Sequence, residues 1–291
     1  MATSAADKRY LRKLKTTHDK LRKGKESLLR LLDEAEVPEG VYNSNAIENS
    51  TLTLKETERI LLEMELSRRV DLREVFKAKN LARVVSYIRV KARTSKLDRG
   101  MILLLHQMLI GGINDPIAGR FRKKGEYVRV GSHVAPPPER VERMIKSILE
   151  EYSSTRGGYF VDKIAVFHLD FETIHPFCDG NGRIGRVIMN WQLTRLGYPG
   201  VIIRNKEKSQ YYHAFGEYRH GIRNTKTMER VVSLALMEAL HKRLAYLKGA
   251  TIVPLAFYAK KRKKPVSALL NAARRQTLPA FREKGVWKIG E

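Results

Sequence analysis

Leucines three, four and seven positions apart run through residues 8–36 among charged side chains. This spacing predicts one basic, amphipathic helix. The Pro38-Glu39-Gly40 run is expected to break it, because proline and glycine are poor helix residues. A short polar stretch, 43–50, follows.

Helical periodicity dominates the rest of the chain. Thr53-Leu54-Lys55-Glu56 is a capping box, which predicts a helix through Leu66. Further helices are predicted over residues 72–94, 97–109, 139–153, 162–174, 183–196, 209–222 and 228–247. Only residues 127–134 read as an extended pair, around Gly131, which indicates a β-hairpin. The predicted fold class is all-α with one short β-hairpin.

Composition limits the class of protein. Hydrophobic residues make up 43% of the 291 residues, enough for a substantial core. Cys178 is the one cysteine, which excludes a disulfide framework and a cysteine zinc site. No apolar run reaches the ~18 residues of a membrane span, and the N-terminus lacks the apolar region of a secretory signal. We therefore expect a cytoplasmic protein without membrane contacts.

Positive charge is concentrated at the two ends of the chain. The net charge is +25, of which residues 1–30 carry +7 and residues 241–291 carry +11. Such ends are either surfaces for a polyanion or solvated arms. The sequence is therefore divided into an N-terminal helical region (1–99), a central body (100–247) and a basic linker with a small C-terminal module (248–291).

The most informative segment runs from His175 to Arg186 and reads His-Pro-Phe-Cys-Asp-Gly-Asn-Gly-Arg-Ile-Gly-Arg. Its Gly-Asn-Gly run precedes a helical pattern, and free N–H groups at a helix start bind phosphate. Arg183 and Arg186 project near one face of that helix, where two guanidinium groups suit a polyphosphate. Asp179 is a carboxylate suited to Mg²⁺, and His175 is a candidate general base. The alternative is a plain capped helix after an Asp-Gly-Asn-Gly turn.

This segment resembles, position for position, the signature His-Pro-Phe-x-Asp-Gly-Asn-Gly-Arg-x-x-Arg of the Fic family. Family members transfer AMP from ATP to a hydroxyl of a target protein. The resemblance implies a Fic-type helical core over 100–247, in which His175 deprotonates the target hydroxyl and Asp179 holds Mg²⁺. Gly182 favours nucleotidyl transfer, because a kinase-like branch of the fold has lysine at this position.

The resemblance also implies a nucleotide site in which backbone groups cradle the α- and β-phosphates and two arginines hold the β/γ end. The residues implied in phosphate binding are Gly180, Asn181, Gly182, Arg183 and Arg186. Tyr211 and Tyr212 fall where family members often have paired tyrosines near the nucleotide. For these two tyrosines, ordinary helix packing is the alternative.

Within the region 1–99, the run from Ser44 to Asn49 resembles the inhibitory motif Ser/Thr-x-x-x-Glu-Gly/Asn of regulated Fic proteins. The resemblance implies that Ser44, Glu48 and Asn49 form an inhibitory segment, in which Glu48 pairs with Arg186 and blocks placement of the γ-phosphate. In some relatives this glutamate instead activates water, so that the enzyme also removes AMP. The alternative is a purely structural role, in which Asn45 and Glu48 form a capping pair.

The predicted hairpin and the prolines after it resemble the Fic flap, which pairs with a target segment as an added strand. The residues of this implied docking site are Val128, Val130, Gly131, Ser132 and His133. A plain surface hairpin is the alternative.

The basic tail has two interpretations. Residues 260–265 read as a linker, and residues 271–289 loosely resemble the end of a winged helix, which together suggest contact with the DNA backbone. A solubilising tail is the alternative, and the 26 residues after Pro265 are too few for an independent core.

The sequence therefore predicts a Mg²⁺-dependent protein adenylyltransferase that uses ATP and is autoinhibited through Glu48. Two rivals are kept: an enzyme that also removes AMP, and a DNA-binding regulator whose core senses nucleotide. A homodimer is left open.

Overall fold

The computed structural model describes residues 3–63, 70–154, 158–220 and 223–291. The fold is mainly helical, which confirms the predicted class. The segment expected to form one helix over 8–36 forms two, α1 (Ala5–Leu21) and α2 (Glu26–Ala35). The prediction of a single helix is wrong because Gly24 has φ 74°, a left-handed conformation that glycine adopts without a steric penalty.

The next helix, α3 (Val37–Ile47), carries the Ser44 segment. Pro38 lies in its first turn, where the missing N–H is not needed and the fixed φ suits a helix. Gly40 lies inside α3 and donates its N–H to the Glu36 carbonyl at 2.9 Å. The expected break at 38–40 is therefore wrong, and α3 begins directly after α2.

The capping box is present. The Thr53 hydroxyl accepts from the Glu56 N–H at 3.2 Å, and the Glu56 carboxylate accepts from the Thr53 N–H at 2.8 Å. The helix that it opens, α4 (Leu54–Glu58), continues into a π-helical turn, Arg59–Glu63. Its predicted end at Leu66 lies outside the described residues.

A helical bundle forms the body of the molecule. Its remaining helices are α5 (Leu72–Lys91), α6 (Arg99–Ile110), α7 (Pro138–Ser154), α8 (Phe160–Ile174), α9 (Asn181–Arg195), α10 (Lys208–His220) and α11 (Lys226–Leu247). One apolar cluster surrounds the fully buried Trp191, and a second surrounds Tyr211. Helices α8 and α9 contribute to both clusters, so the loop that joins them is anchored on two sides. The predicted end of α10 at Ile222 lies outside the described residues.

The predicted hairpin lies between α6 and α7. Strand β1 (Arg129–Val130) pairs antiparallel with β2 (His133–Val134). Gly131, with φ 58°, makes the turn between them.

The chain after α11 folds into a small module of two helices and three strands. Its elements are β3 (Ile252–Pro254), α12 (Leu255–Lys261), α13 (Val266–Arg274), β4 (Ala280–Glu283) and β5 (Val286–Gly290). The antiparallel sheet has the order β3-β5-β4. This is a helix-turn-helix followed by a β-hairpin wing, so the prediction that 127–134 is the only hairpin is wrong. The run 260–265, expected to be a linker, completes α12 and forms the turn to α13.

The module has its own apolar cluster, which contains Leu255, Leu269 and Ile289. Leu255 comes from before the basic run, which is why the residues after Pro265 alone do not suggest a core. Phe281 of β4 is also fully buried. The module is therefore a packed unit rather than a solvated tail.

Candidate active site

His175 lies at the C-terminal end of α8 in the left-handed conformation, with φ 49° and ψ 63°. This conformation is uncommon for a residue with a side chain and turns the chain sharply out of the helix. The ring Nδ1 lies 3.4 Å from the Glu172 carbonyl, which orients Nδ1–H as the donor and leaves Nε2 as the free basic atom. Burial lowers the pKa of His175 to about 4, so the ring is neutral at pH 7.

The loop after His175 is closed by Asn181. Its side-chain oxygen accepts from the Phe177 N–H and its amide donates to the Phe177 carbonyl, both at 2.8 Å. Gly180 has φ 83°, a conformation that favours glycine. The Asn181 side chain therefore builds the loop, and the backbone N–H groups of the first turn of α9 remain available for an anion.

His106 supports the same loop from α6. Its ring stacks on Phe177 with centroids 3.7 Å apart, and Nδ1 accepts from the Gly119 N–H at 3.0 Å. Nε2 must therefore carry the proton, which it donates to the Asp179 carbonyl at 3.0 Å. Burial lowers the pKa of His106 to about 4 and favours this neutral form.

Arg122 joins the loop to the base of the hairpin. Its guanidinium donates to the carbonyls of His175 at 2.8 Å and Pro136 at 2.9 Å, and it is almost fully buried. Neither Arg122 nor His106 was predicted from the sequence. Their partners are backbone carbonyls and an aromatic ring from distant segments, which leave no local pattern in the sequence.

Asp179 and Arg183 lie together at the start of α9. Arg183 donates to the Asp179 carboxylate at 3.1 Å, and Arg73 lies 3.8 Å from its other oxygen. Arg183 is buried, and its Nε and Nη1 have no hydrogen-bond partner among the described residues. A buried guanidinium with free donors beside a helix N-terminus is suited to an anionic ligand.

Arg186 is held by the inhibitory segment predicted from the sequence. Its Nη2 lies 2.9 Å from the Glu48 carboxylate and 2.9 Å from the Ser44 carbonyl, while Nε donates to the Ser44 hydroxyl at 2.9 Å. The Glu48 carboxylate also lies over Gly182, so closely that a Cβ on that glycine would overlap it. One carboxylate therefore fills the space between Arg186 and the N-terminus of α9.

Asn49 explains how Glu48 reaches this position. Glu48 is the C-cap residue directly after α3, and Asn49 adopts the left-handed conformation at φ 62°. Glycine and asparagine are the residues that end helices in this way. The geometry agrees with the pairing of Glu48 and Arg186 that the resemblance implies, and Asn45 is not its partner.

A second carboxyl lies beneath the site. Burial, together with the nearby Glu48, raises the pKa of Glu172 to about 8, so this group is neutral at pH 7. It packs beside His168, and Gly185 gives both groups room. His168 bonds the Tyr211 hydroxyl at 2.7 Å, which agrees with a packing role for this histidine.

The two tyrosines lie beside the contact between Glu48 and Arg186. Tyr211 is buried, and its hydroxyl lies 3.4 Å from Nη1 of Arg186. Tyr212 is 44% exposed and donates its hydroxyl to the Ile47 carbonyl at 2.8 Å. Tyr211 therefore positions Arg186, and Tyr212 holds the end of α3.

The hairpin lies beside His175. The ring of His133 bonds the Thr173 carbonyl at 2.9 Å, two residues before His175. The Ala135 N–H donates to the Val128 carbonyl at 3.0 Å and extends the pairing of the two strands. Val130 is 41% exposed, and Gly131 and Ser132 are exposed as well. The hairpin is thus anchored at His133 and open at its tip.

Several known proteins are similar to this chain in sequence. The profile of the Fic/DOC family matches residues 96–193. The chain is 35% identical over 221 residues to the Protein adenylyltransferase Fic of Drosophila melanogaster, a match that covers 71% of this chain and 43% of the fly protein. It is 30% identical over 219 residues to the protein of that name from Nematostella vectensis, covering 74% of this chain and 50% of the relative. The chain therefore spans half or less of the length of these relatives.

A solved structure also shares the fold. A Fic-domain-containing signalling protein from Bacteroides thetaiotaomicron superposes with a TM-score of 0.75 at 24% identity, over 83% of this chain and 97% of that chain. In the part of the chain that the structure describes, no helix is both long and apolar enough to cross a membrane.

Proposed function

This chain belongs to the Fic/DOC family, and from that premise we propose that it is a protein adenylyltransferase, which transfers AMP from ATP to a Ser, Thr or Tyr hydroxyl of a target protein. The observation that carries the proposal is the position of Glu48. A carboxylate lies over the N-terminus of α9 and against Arg186, where a nucleotide phosphate would bind. A carboxylate in this place marks an anion site.

The reaction requires a base and an anion cradle. The target hydroxyl oxygen forms a bond to the α-phosphorus while the bond to the β-phosphate breaks, and pyrophosphate leaves. Nε2 of His175 takes the hydroxyl proton, because Nδ1 faces the Glu172 carbonyl. The N–H groups at the start of α9, with Arg183 and Arg186, stabilise the phosphate charge. Catalysis comes from positioning and from charge stabilisation.

The residues present fit Mg²⁺. Asp179 offers a hard carboxylate that is 37% exposed, and Mg²⁺ commonly takes one or two carboxylates together with substrate phosphates and water. When bound, Mg²⁺ would neutralise phosphate charge. The described residues contain no cluster of three or more His, Cys, Asp or Glu side chains able to hold a metal ion, so the substrate would supply part of the shell.

Autoinhibition through Glu48 is part of the proposal. Glu48 accepts a hydrogen bond from Nη2 of Arg186, so this donor is not available to the γ-phosphate, while Ser44 holds the guanidinium in position. The rival role for Glu48 is activation of a water that removes AMP from the target. Incubation with AMP-modified target separates the two roles, because only the rival releases AMP.

The flap is proposed to bind the target. Its exposed tip, Val130 to Ser132, offers backbone groups to an extended segment, and His133 fixes it beside His175. A target strand added here would bring its hydroxyl close to Nε2.

Labelling with ATP that carries a label on the α-phosphate tests the function. The Glu48→Gly protein in cell lysate should label protein, and His175→Ala in the same background should abolish labelling while ATP binding is kept. Label from the γ-phosphate would indicate a kinase, and labelling that survives His175→Ala would remove His175 from the role of base.

A second function, duplex DNA binding, is proposed for the segment 248–291. Its two helices and wing have the topology of a winged helix. Lys263 and Lys264 are exposed in the turn before α13, and Arg274 and Arg275 are exposed at its C-terminal end. The protein is titrated with duplex DNA from its own promoter and with random duplex DNA, at two salt concentrations. A preference for the promoter indicates that bases are read, whereas equal affinities that fall steeply with salt indicate contacts to the phosphate backbone only. Cytoplasmic location and a homodimer stay predictions, tested by fractionation and light scattering.

A further inference from the structure

The helix that delivers Glu48 is held at its other end by the C-terminal module. Glu39 lies in the first turns of α3, nine residues before Glu48, which corresponds to about 13 Å along the helix. Glu39 is 6% exposed. Two of its partners are backbone N–H groups at the tip of the β4–β5 wing.

These two wing contacts form what we name the clasp: Glu39 with the N–H groups of Lys284 and Gly285. The distances are 3.2 Å to the Lys284 nitrogen and 2.9 Å to the Gly285 nitrogen. Lys284 and Gly285 have φ of 51° and 77°, and successive N–H groups in such a turn make an anion-binding concavity. The Lys284 ammonium lies 3.0 Å from the carboxylate of Glu58, the last residue of α4. The wing tip is therefore an anion site, and carboxylates of the N-terminal region occupy it.

Buried ion pairs connect Glu39 of the clasp to helix α11 of the body. Arg204 donates to Glu39 and, at 3.1 Å, to Glu238 of α11. Arg282 of β4 donates to the same Glu238 and lies 2.7 Å from Glu207. A buried charge that loses one partner is destabilised, so the members of this network support one another. Movement of the wing would therefore disturb the charge balance at Glu39.

We propose that the clasp holds α3, the helix that carries Glu48, in place. Duplex DNA bound by the module releases α3, because a DNA phosphate binds the wing tip in place of Glu39. Phosphate contacts in protein–DNA complexes come from backbone N–H groups and lysines, which are the donors that Glu39 and Glu58 now occupy. A DNA phosphate at the wing tip competes with Glu39 for these donors. Without the clasp, α3 is less firmly seated, and Glu48 leaves Arg186 more often.

The proposal rests on the proposed function, because its consequence is faster AMP transfer. It also has a consequence that needs no catalysis: the backbone amides of residues 37–47 should exchange hydrogen faster when the clasp is broken. This second readout separates failure of the clasp from failure of the enzymatic assignment.

Three variants test the clasp. Lys284→Glu places a negative charge beside Glu39 and Glu58 at a position that is exposed, so folding is not at risk. Glu39→Gln removes the carboxylate charge itself. The matched control is Lys248→Glu, an equal charge change on an exposed residue of the same segment, distant in sequence from the wing.

Lys284→Glu and Glu39→Gln should each raise AMP transfer about fivefold, the lower end of coupling between linked sites. Neither should raise it further in the Glu48→Gly background, where nothing is left to release. Lys248→Glu should leave both activity and exchange unchanged. If Lys284→Glu leaves exchange over 37–47 unchanged, the clasp does not hold the helix. If Glu48→Gly labels no protein, but hydrogen exchange over residues 37–47 rises in Lys284→Glu, the clasp is supported and the proposed enzymatic function fails.

The last experiment tests release by duplex DNA. DNA at a concentration that saturates binding, followed by fluorescence anisotropy, should raise labelling by wild-type protein and leave Lys284→Glu unaffected. Inorganic phosphate at the same concentration of phosphate groups should have no effect. DNA that binds without raising labelling, or phosphate that raises labelling as much as DNA does, overturns release by DNA.

Discussion

Replacing Glu48 with glycine removes the carboxylate that occupies the anion cradle. The backbone tolerates the change, because Glu48 is the residue after α3 and has φ −88°, which glycine adopts freely. Arg186 keeps its bonds to Ser44, so the guanidinium stays in position. The substitution therefore changes the availability of Arg186 and the space above Gly182, with little change elsewhere.

The magnitude follows from the bond that is lost. A hydrogen bond to a charged group contributes about 1.5 to 3 kcal/mol. The Glu48 side chain is 39% exposed, so water screens part of the interaction, and we take the lower half of that range, about 1.5 to 2 kcal/mol. Since ~1.4 kcal/mol corresponds to tenfold in rate, labelling should rise about ten- to thirtyfold.

The assay is incorporation of label from the α-phosphate at saturating ATP, with wild type, Glu48→Gly and Glu48→Gln in parallel. Glutamine keeps the size of the side chain and loses its charge, so Glu48→Gln should lie between the other two. Labelling by Glu48→Gly that equals or falls below that of wild type would remove Glu48 from the inhibitory role. A simultaneous loss of AMP release from modified target would instead support the water-activating role.

Three further predictions concern the support of the site. Because burial lowers the pKa of His175 to about 4, labelling should stay nearly constant from pH 7 to about 5 and fall as the pH approaches 4, measured with the Glu48→Gly protein. Burial raises the pKa of Glu172 from 4.5 to about 8, so its contribution to stability is complete below pH 4.5 and is lost as the pH rises through 8. Glu172→Gln should therefore flatten the free energy of unfolding between pH 5 and 8 in denaturant titrations. Arg122→Lys cannot reach the carbonyls of His175 and Pro136 together, so it should cost about 2 kcal/mol or more in thermal unfolding and slow labelling without weakening ATP binding.

Patterns that are local in sequence predicted most of the fold. Helical periodicity located α5 to α9 within a few residues, and alternation around Gly131 located the flap. The contact between Glu48 and Arg186 was also predicted, but from resemblance, since the two residues are 138 positions apart. No periodicity could have brought them together.

Features made by distant contacts could not be predicted. His106 has no motif around it, and its importance depends on stacking against Phe177 from another helix. The prediction of a linker and a tail without a core was wrong for two reasons. The basic run 260–265 contains the turn between two helices, and the core of the module includes Leu255, which precedes that run. Glu39 was read as part of a helix break, whereas its carboxylate is a partner of the wing.

The strand order β3-β5-β4 has a consequence for the nascent chain. Strand β5 is the last element of the module to be synthesised, yet it is the central strand, so β3 and β4 have no sheet to join until it emerges. About 95 residues separate the end of α9 from the end of β5, which takes roughly 5 to 20 s at ordinary rates of translation. During that interval the His175 loop and residues 44–49 have been synthesised, whereas the contacts of Glu39 with the wing do not yet exist. Each newly made molecule therefore passes through a stage in which Ser44 and Glu48 can contact Arg186 before the wing holds Glu39.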